Sequence, residues 1–246
     1  MGFIAVIPAR FASTRLPGKP LLDIHGHPMI WHVVQRALES DAARVIVATD
    51  DLRIMDAVQA FGADCVMTRA DHTTGTDRLS EVASQLNLPA DAIVVNVQGD
   101  EPLLPASAIN QVADMLMAEP RAQIATLCEP LTQDVDIRDP NQVKVVFSGD
   151  GRALYFSRAP IPGHPELAAG LHYRHIGLYA YRTEFLNNFS AWQPTPLEQF
   201  ERLEQLRALD HYAWIQVAVT DQTIPPGVDT EADLHAVRRY LENRDV

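Results

Sequence analysis

Lysine is almost missing from this sequence: only Lys19 and Lys144 occur in 246 residues, and the remaining strong bases are arginines. Lys plus Arg total 20 against 32 Asp plus Glu, a formal net charge of −12. A protein that coats nucleic acid needs surplus cations to displace counterions from phosphate, so this balance excludes that class of partner. Cysteine is as scarce. Cys65 and Cys128 stand far apart in apolar runs with no CxxC spacing, which excludes a disulfide framework and a cysteine metal site and leaves buried free thiols as the expectation. No apolar run approaches the roughly 18 residues of a membrane span. The stretch from Met1 to Arg10 also lacks the basic region and long apolar core of a secretory signal, and Val6 stands where myristoylation needs Ser or Thr. These absences predict a soluble, cytoplasmic protein with no membrane partner.

What is present is a chain with 47% apolar residues, long enough to bury about 70 to 75% of its unfolded surface without staples. Short β-branched runs alternate with segments of helical period, the pattern of βαβ units and a mostly parallel sheet flanked by helices. Strands are predicted at Phe3 to Ile7, Arg44 to Thr49, Asp64 to Met67 and Ile93 to Val97. Helices are predicted at Pro28 to Ser40, Leu52 to Phe61, Thr76 to Leu86 and Pro105 to Ala118, with Asp50 as a helix N-cap. The second half reads as added antiparallel strands: Ile124 to Cys128, Val143 to Phe147, Ala153 to Ser157 and His172 to Tyr181, with a hairpin at Ser148-Gly149-Asp150-Gly151. Helices at Thr183 to Phe189 and Leu197 to Leu209, a strand at Trp214 to Val219 and a helix from Thr230 complete the chain. Leu197, Phe200, Leu203 and Leu206 are expected to point inward, with Glu198 and Arg202 paired on the outer face. No linker or repeat interrupts this order, so one α/β domain is expected, with its ligand crevice at the carboxyl ends of the parallel strands.

Three segments carry candidate chemistry. The first 22 residues contain Arg10, Arg15 and Lys19 and no acid, a local inversion in an acidic chain. Because this segment follows the first strand, it reads as an anion site, although it is neither a Walker A loop nor GxGxxG. Strand four ends in Gln98-Gly99-Asp100-Glu101-Pro102, where a carboxylate at the tip suits Mg²⁺, which takes one or two protein carboxylates and completes its shell with phosphate and water. Polar turn and metal ligand remain open readings there. Gly227-Val228-Asp229-Thr230 supplies a second acid, with Asp229 or Thr230 also a natural N-cap for the last helix.

Pro8-Ala9-Arg10, Arg15-Leu16-Pro17-Gly18-Lys19-Pro20, Gln98-Gly99-Asp100-Glu101-Pro102, Phe156-Ser157-Arg158-Ala159-Pro160, Arg174-His175-Ile176-Gly177, Leu203-Glu204-Gln205-Leu206-Arg207 and Gly227-Val228-Asp229-Thr230 together resemble the 3-deoxy-manno-octulosonate (Kdo) cytidylyltransferases, the CMP-Kdo synthetases of lipopolysaccharide-making bacteria. The likeness runs end to end and in order. It implies a Rossmann-like nucleotide-diphospho-sugar transferase fold, the reaction CTP + Kdo → CMP-Kdo + pyrophosphate with Mg²⁺, and a homodimer.

By that resemblance Ala9, Arg10, Ser13, Arg15 and Lys19 would hold the CTP phosphates, Thr74, Gly75, Arg78 and Gln98 would meet cytosine and ribose, and Asp100 and Asp229 would be metal ligands. Arg10 and Lys19 would also neutralise charge building on phosphate. For the sugar, Arg158 offers a planar fork suited to a carboxylate, His175 and Tyr179 share a strand face opposite Ile176 and Leu178, and Glu204 and Gln205 would receive hydroxyls. Thr74 to Asp77 is equally an S/T-x-x-D helix start. The implied division is a nucleotide part at about residues 1–120, a sugar-binding and dimerisation part at about 121–215 and a metal-site segment at about 216–246. The connection from residue 163 to 173 is shorter than the family pattern. Nearby alternatives are CMP-sialate synthesis, an amino-substituted Kdo as acceptor, a sugar-1-phosphate nucleotidyltransferase and a non-catalytic nucleotide-binding module.

Overall fold

The computed structural model describes residues 2–12, 16–72, 74–163, 170–220 and 222–243. Ser13, Arg15 and most of the short 163–173 connection therefore lie outside the described residues. In chain order the elements are β1 (Ile4–Ala9), β2 (Asp23–Ile24), β3 (His27–Pro28), α1 (Met29–Leu38), β4 (Arg44–Thr49), α2 (Leu52–Ala60), β5 (Asp64–Met67), α3 (Gly75–Gln85), β6 (Ile93–Asn96) and α4 (Ala106–Ala118). There follow β7 (Ile124–Pro130), α5 (Asp134–Arg138), β8 (Lys144–Phe147), β9 (Ala153–Ser157), β10 (Tyr173–Arg182), α6 (Thr183–Phe189), α7 (Pro196–Glu201), α8 (Gln205–Asp210), β11 (Ile215–Val219) and α9 (Glu231–Glu242).

Nine strands among the described residues form one mixed sheet with the path β11-β7-β10-β6-β1-β4-β5, and β8 and β9 branch from β10. The pairs β1 with β4, β1 with β6, β4 with β5 and β7 with β11 are parallel. β10 is the antiparallel insertion, lying between β6 and β7. Because these strands are covered on both faces, their apolar residues run without alternation. Ala5, Ile7 and Ala9 of β1 pack into the cluster that holds α1 and α4, whereas Val6 packs with α3 residues Leu79 and Val82. The sheet thus buries two apolar layers at once.

Strand order turns about β1. The chain leaves β1 toward β4 on one side and returns as β6 on the other, so the β1 and β6 tips bound a topological switch point, where open α/β sheets bind ligands. Gly99, just past β6, sits against β1: a Cβ there would lie 2.6 Å from the Pro8 carbonyl oxygen.

Several expectations need correction. Asp51, not Asp50, caps α2, accepting from Arg53 N–H at 2.9 Å. The helix expected from Leu197 to Leu209 is two short helices broken at Arg202, whose φ of 55° and ψ of 48° turn the chain left-handed. Downstream, Leu203 and Leu206 stay buried, but upstream Leu197 and Phe200 face outward, Phe200 at 87% exposure. The same break sends Glu198 to Arg207 (2.5 and 2.8 Å) instead of Arg202. β10 carries an irregularity between Ile176 and Tyr179, so its pairing with β7 skips two residues that simple alternation did not anticipate. Cys65 and Cys128 are free thiols, half-buried and buried, and burial pushes them up to about 11 and about 12.

Candidate active site

A cleft of about 390 Å³ opens at the switch point. Ala9 and Arg10 enter it from the end of β1, Gln98, Gly99 and Asp100 from the end of β6, Gly75 and Arg78 from the first turns of α3, Lys19 from the short helical turn after β1, and Asp229 from the approach to α9. Most residues that the sequence assigned to nucleotide and metal therefore share one cleft. The exceptions are Ser13 and Arg15, outside the described residues, and Thr74, which caps the helix beside it.

Local chemistry explains each placement. Gly18 adopts φ 67°, a left-handed conformation that a side chain resists, and its missing Cβ also clears the Phe11 ring, which would lie 3.1 Å away. That turn aims Lys19 into the cleft. Its ammonium donates to Asp100 Oδ2 at 2.6 Å, to the Val228 carbonyl at 2.7 Å and to Asp229 Oδ1 at 3.2 Å. Val228 N–H in turn donates to the Asp100 carbonyl at 2.8 Å, which fastens the segment before α9 to the β6 tip. Two acids 129 positions apart in sequence numbering thus meet at one cation. Thr230, not Asp229, caps α9 in a reciprocal box with Asp233, so the Asp229 carboxylate is directed at Lys19.

The donor set fits Mg²⁺. Both acids are hard oxygen ligands facing one point, and no cluster of three or more His, Cys, Asp or Glu suited to a metal cage is found among the described residues; Mg²⁺ asks for no more than one or two carboxylates beside substrate phosphate. Glu101 is not part of this set: burial, with the Asp100 charge beside it, pushes its carboxyl up to about 8.

Arg78 is 1% exposed and reaches the cleft wall with its charge already matched, donating to Asp50 Oδ2 at 2.7 Å and to the Thr68 hydroxyl. Asp50 and Thr68 were missed by the sequence reading. The doublet Asp50-Asp51 was a usable signal, since one helix start needs only one cap. Thr74 and Asp77 form the complete capping box at the start of α3, so the cap and the cleft wall are the same turn.

A second cavity of about 90 Å³ lies on the other side of that turn, lined by Thr76, Tyr179, Tyr181, Phe185, Glu204 and Gln205 among others. It brings together Tyr179, Glu204 and Gln205 of the sugar-site expectation. Thr76 Oγ1 donates to Glu204 Oε2 at 3.0 Å, and Glu204 Oε1 is buried without a partner. Arg158 and His175 line neither cavity. Arg158 donates to the main-chain carbonyls of Glu201 (2.8 Å), Pro140 (3.0 Å) and Arg202 (3.4 Å), bracing the α7–α8 joint. His175 packs edge-on to Phe156 and beside Tyr179, with Nε2 3.0 Å from Thr126 Oγ1, and burial pulls its imidazole down to about 3.

Comparison with known proteins identifies the family. Residues 4–217 match the family model described as cytidylyltransferase. The 3-deoxy-manno-octulosonate cytidylyltransferase of Chromohalobacter salexigens is 56% identical, covering 97% of this chain and 96% of the relative. That of Hahella chejuensis is also 56% identical, covering 97% of each. Among solved structures, a CMP:2-keto-3-deoxy-manno-octonic acid synthetase complexed with CTP superposes with a TM-score of 0.93 at 43% identity, over 99% of this chain and 100% of the other. A cytidylyltransferase from Leptospira borgpetersenii shares the fold at a TM-score of 0.67 and 17% identity, over 99% of this chain and 87% of its own.

Proposed function

The chain belongs to the cytidylyltransferase family, and from that premise we propose that it activates 3-deoxy-D-manno-octulosonate with CTP, giving CMP-Kdo and pyrophosphate and supplying lipopolysaccharide biosynthesis. The observation that carries this reading is the convergence of Arg10, Lys19, Arg78, Asp100 and Asp229 on one cleft at the β1/β6 switch point, in a chain so similar over its length to enzymes of that name.

The anomeric hydroxyl of Kdo attacks the α-phosphorus in line, and pyrophosphate leaves. No covalent enzyme intermediate is needed, so the rate comes from positioning and from stabilising charge. Arg10 and Lys19 neutralise the phosphates. Gly75, Arg78 and Gln98 form the wall for ribose and cytosine, with Thr74 fixing the turn. Asp100 and Asp229 are the residues that would hold Mg²⁺; when bound, Mg²⁺ supplies Lewis-acid polarisation of phosphate oxygen. Lys19, at hydrogen-bond distance from both acids, keeps their charges together before substrate arrives. Tyr179, Glu204 and Gln205 receive the sugar. The working unit is a homodimer, at about twice the 27.3 kDa chain mass in solution, in the cytoplasm.

Phosphorus NMR of the products tests this reading. The expected result is one phosphodiester joining CMP to the anomeric oxygen of Kdo, with an equal amount of pyrophosphate. Release of CDP, or hydrolysis of CTP without a sugar product, contradicts it.

A further inference from the structure

The large cleft and the small cavity share one wall, the first turn of α3. Gly75 lines the first and Thr76 the second, so adjacent residues of one helix face the two halves of the reaction. Thr76 is 3% exposed, and its turn is held by the reciprocal Thr74 and Asp77 cap, with bonds of 3.1 and 3.3 Å. Its hydroxyl meets Glu204, which lies far away in sequence at the start of α8. One oxygen of the Glu204 carboxylate is fastened to the α3 turn, while the other is buried with no partner in a residue that lines the small cavity.

An unpartnered buried acceptor carries a desolvation cost that a donor from a ligand removes. A carboxylate pinned at one oxygen presents the other in a fixed direction, which is how a supporting residue sharpens recognition without touching the ligand. We propose that Thr76 is a positioning residue for acceptor recognition: its hydroxyl sets the direction of Glu204 Oε1 and ties the acceptor cavity to the turn that forms the nucleotide wall. This rests on the reading of the chain as a CTP-dependent enzyme whose acceptor meets Glu204. Burial raises the Glu204 carboxyl above its ordinary range, and the hydroxyls of Thr74 and Thr76 act against that rise.

The test is steady-state pyrophosphate release with Kdo varied at saturating CTP and with CTP varied at saturating Kdo, for wild type, Thr76→Val, Thr76→Ser, Glu204→Ala and Thr76→Val/Glu204→Ala, with melting temperatures measured beside them. Thr76→Val is expected to raise KM for Kdo about tenfold, the loss of one buried hydrogen bond, while KM for CTP stays within about twofold. Thr76→Ser restores the acceptor KM. In the Glu204→Ala background Thr76→Val adds less than about twofold, because the pair acts as one unit. Should Thr76→Val not fold, Thr76→Ala takes its place in the same comparison. An equal rise in both KM values, an unchanged acceptor KM, or losses that multiply in the double variant overturns the proposal. Wild-type protein that releases no pyrophosphate with Kdo overturns the functional reading and this proposal with it; a wild type that works and a Thr76→Val variant that matches it overturn this proposal alone.

Discussion

Asp100 is constrained from two sides. Lys19 holds its carboxylate and Val228 N–H holds its carbonyl, while the preceding Gly99 is pressed against the Pro8 carbonyl with no room for a Cβ. A residue fixed so firmly, with a side chain still 34% exposed to the cleft, is placed for chemistry more than for stability, since part-exposed ion pairs contribute about 0 to 1 kcal/mol. Asp100→Ala is therefore expected to lower kcat by about 10² to 10³ with little change in melting temperature. Near-normal turnover at saturating Mg²⁺ would remove Asp100 from the metal site. His175 answers a different question. Its imidazole titrates near 3 in the folded chain because of burial, with the Arg174 charge adding to the effect, against about 6.5 when unfolded. Below pH 6.5 the unfolded chain binds a proton that the folded one does not, so stability falls as pH drops from 6.5 toward 3, by up to about 1.4 kcal/mol per pH unit from this group. Urea titrations across that range are expected to show a shallower acid loss for His175→Gln than for wild type. Identical slopes would mean that His175 is charged in the folded state.

At the scale of elements, the joint between α7 and α8 decides where Glu204 and Gln205 stand. Arg158 braces it through three main-chain carbonyls, and Glu201 ties back to the Ser157 hydroxyl at 2.7 Å and the Arg158 N–H at 2.9 Å. Nearby, the fully buried Lys144 donates to the Arg158 carbonyl at 2.7 Å. Arg158→Ala should cost about 1 kcal/mol, chiefly through the part-buried bond to the Glu201 carbonyl, and raise KM for Kdo together with that loss. A raised KM with an unchanged melting temperature would instead mark Arg158 as a direct ligand of the sugar carboxylate. The sequence showed the alternation of strands and helices, because buried strands and amphipathic helices leave distinct periods. It also showed the capping box at Thr74 and a cap at Asp229 or Thr230, but a cap needs only its own neighbours, so it was silent on whether Asp229 faces a ligand. The break at Arg202 left no mark: the apolar stripe runs on through Leu203 and Leu206, and an arginine in a left-handed conformation lacks the glycine or asparagine that usually signals one. The partners of Arg158 were hidden for a related reason. Its motif is local, whereas its partners Pro140, Glu201 and Arg202 come from two other segments.

Over the whole molecule, an acidic chain brings three cations to one cleft. Net charge is −12, yet Arg10, Lys19 and Arg78 line the cleft at the β1/β6 switch point, and the acids Asp100, Asp229 and Asp50 hold Lys19 and Arg78 in place, so a polyphosphate meets fixed cationic donors inside an otherwise repelling surface. Among the described residues no helix is long and apolar enough to cross a membrane. The central claim is that this cleft and the smaller cavity behind the α3 turn join CTP to Kdo. Pyrophosphate release by the purified protein with CTP and Mg²⁺, given Kdo, sialic acid or no sugar in parallel, tests it most directly. Release with Kdo alone is the expected result; release with sialic acid in its place, or with none of the three while CTP still raises the melting temperature, would contradict it.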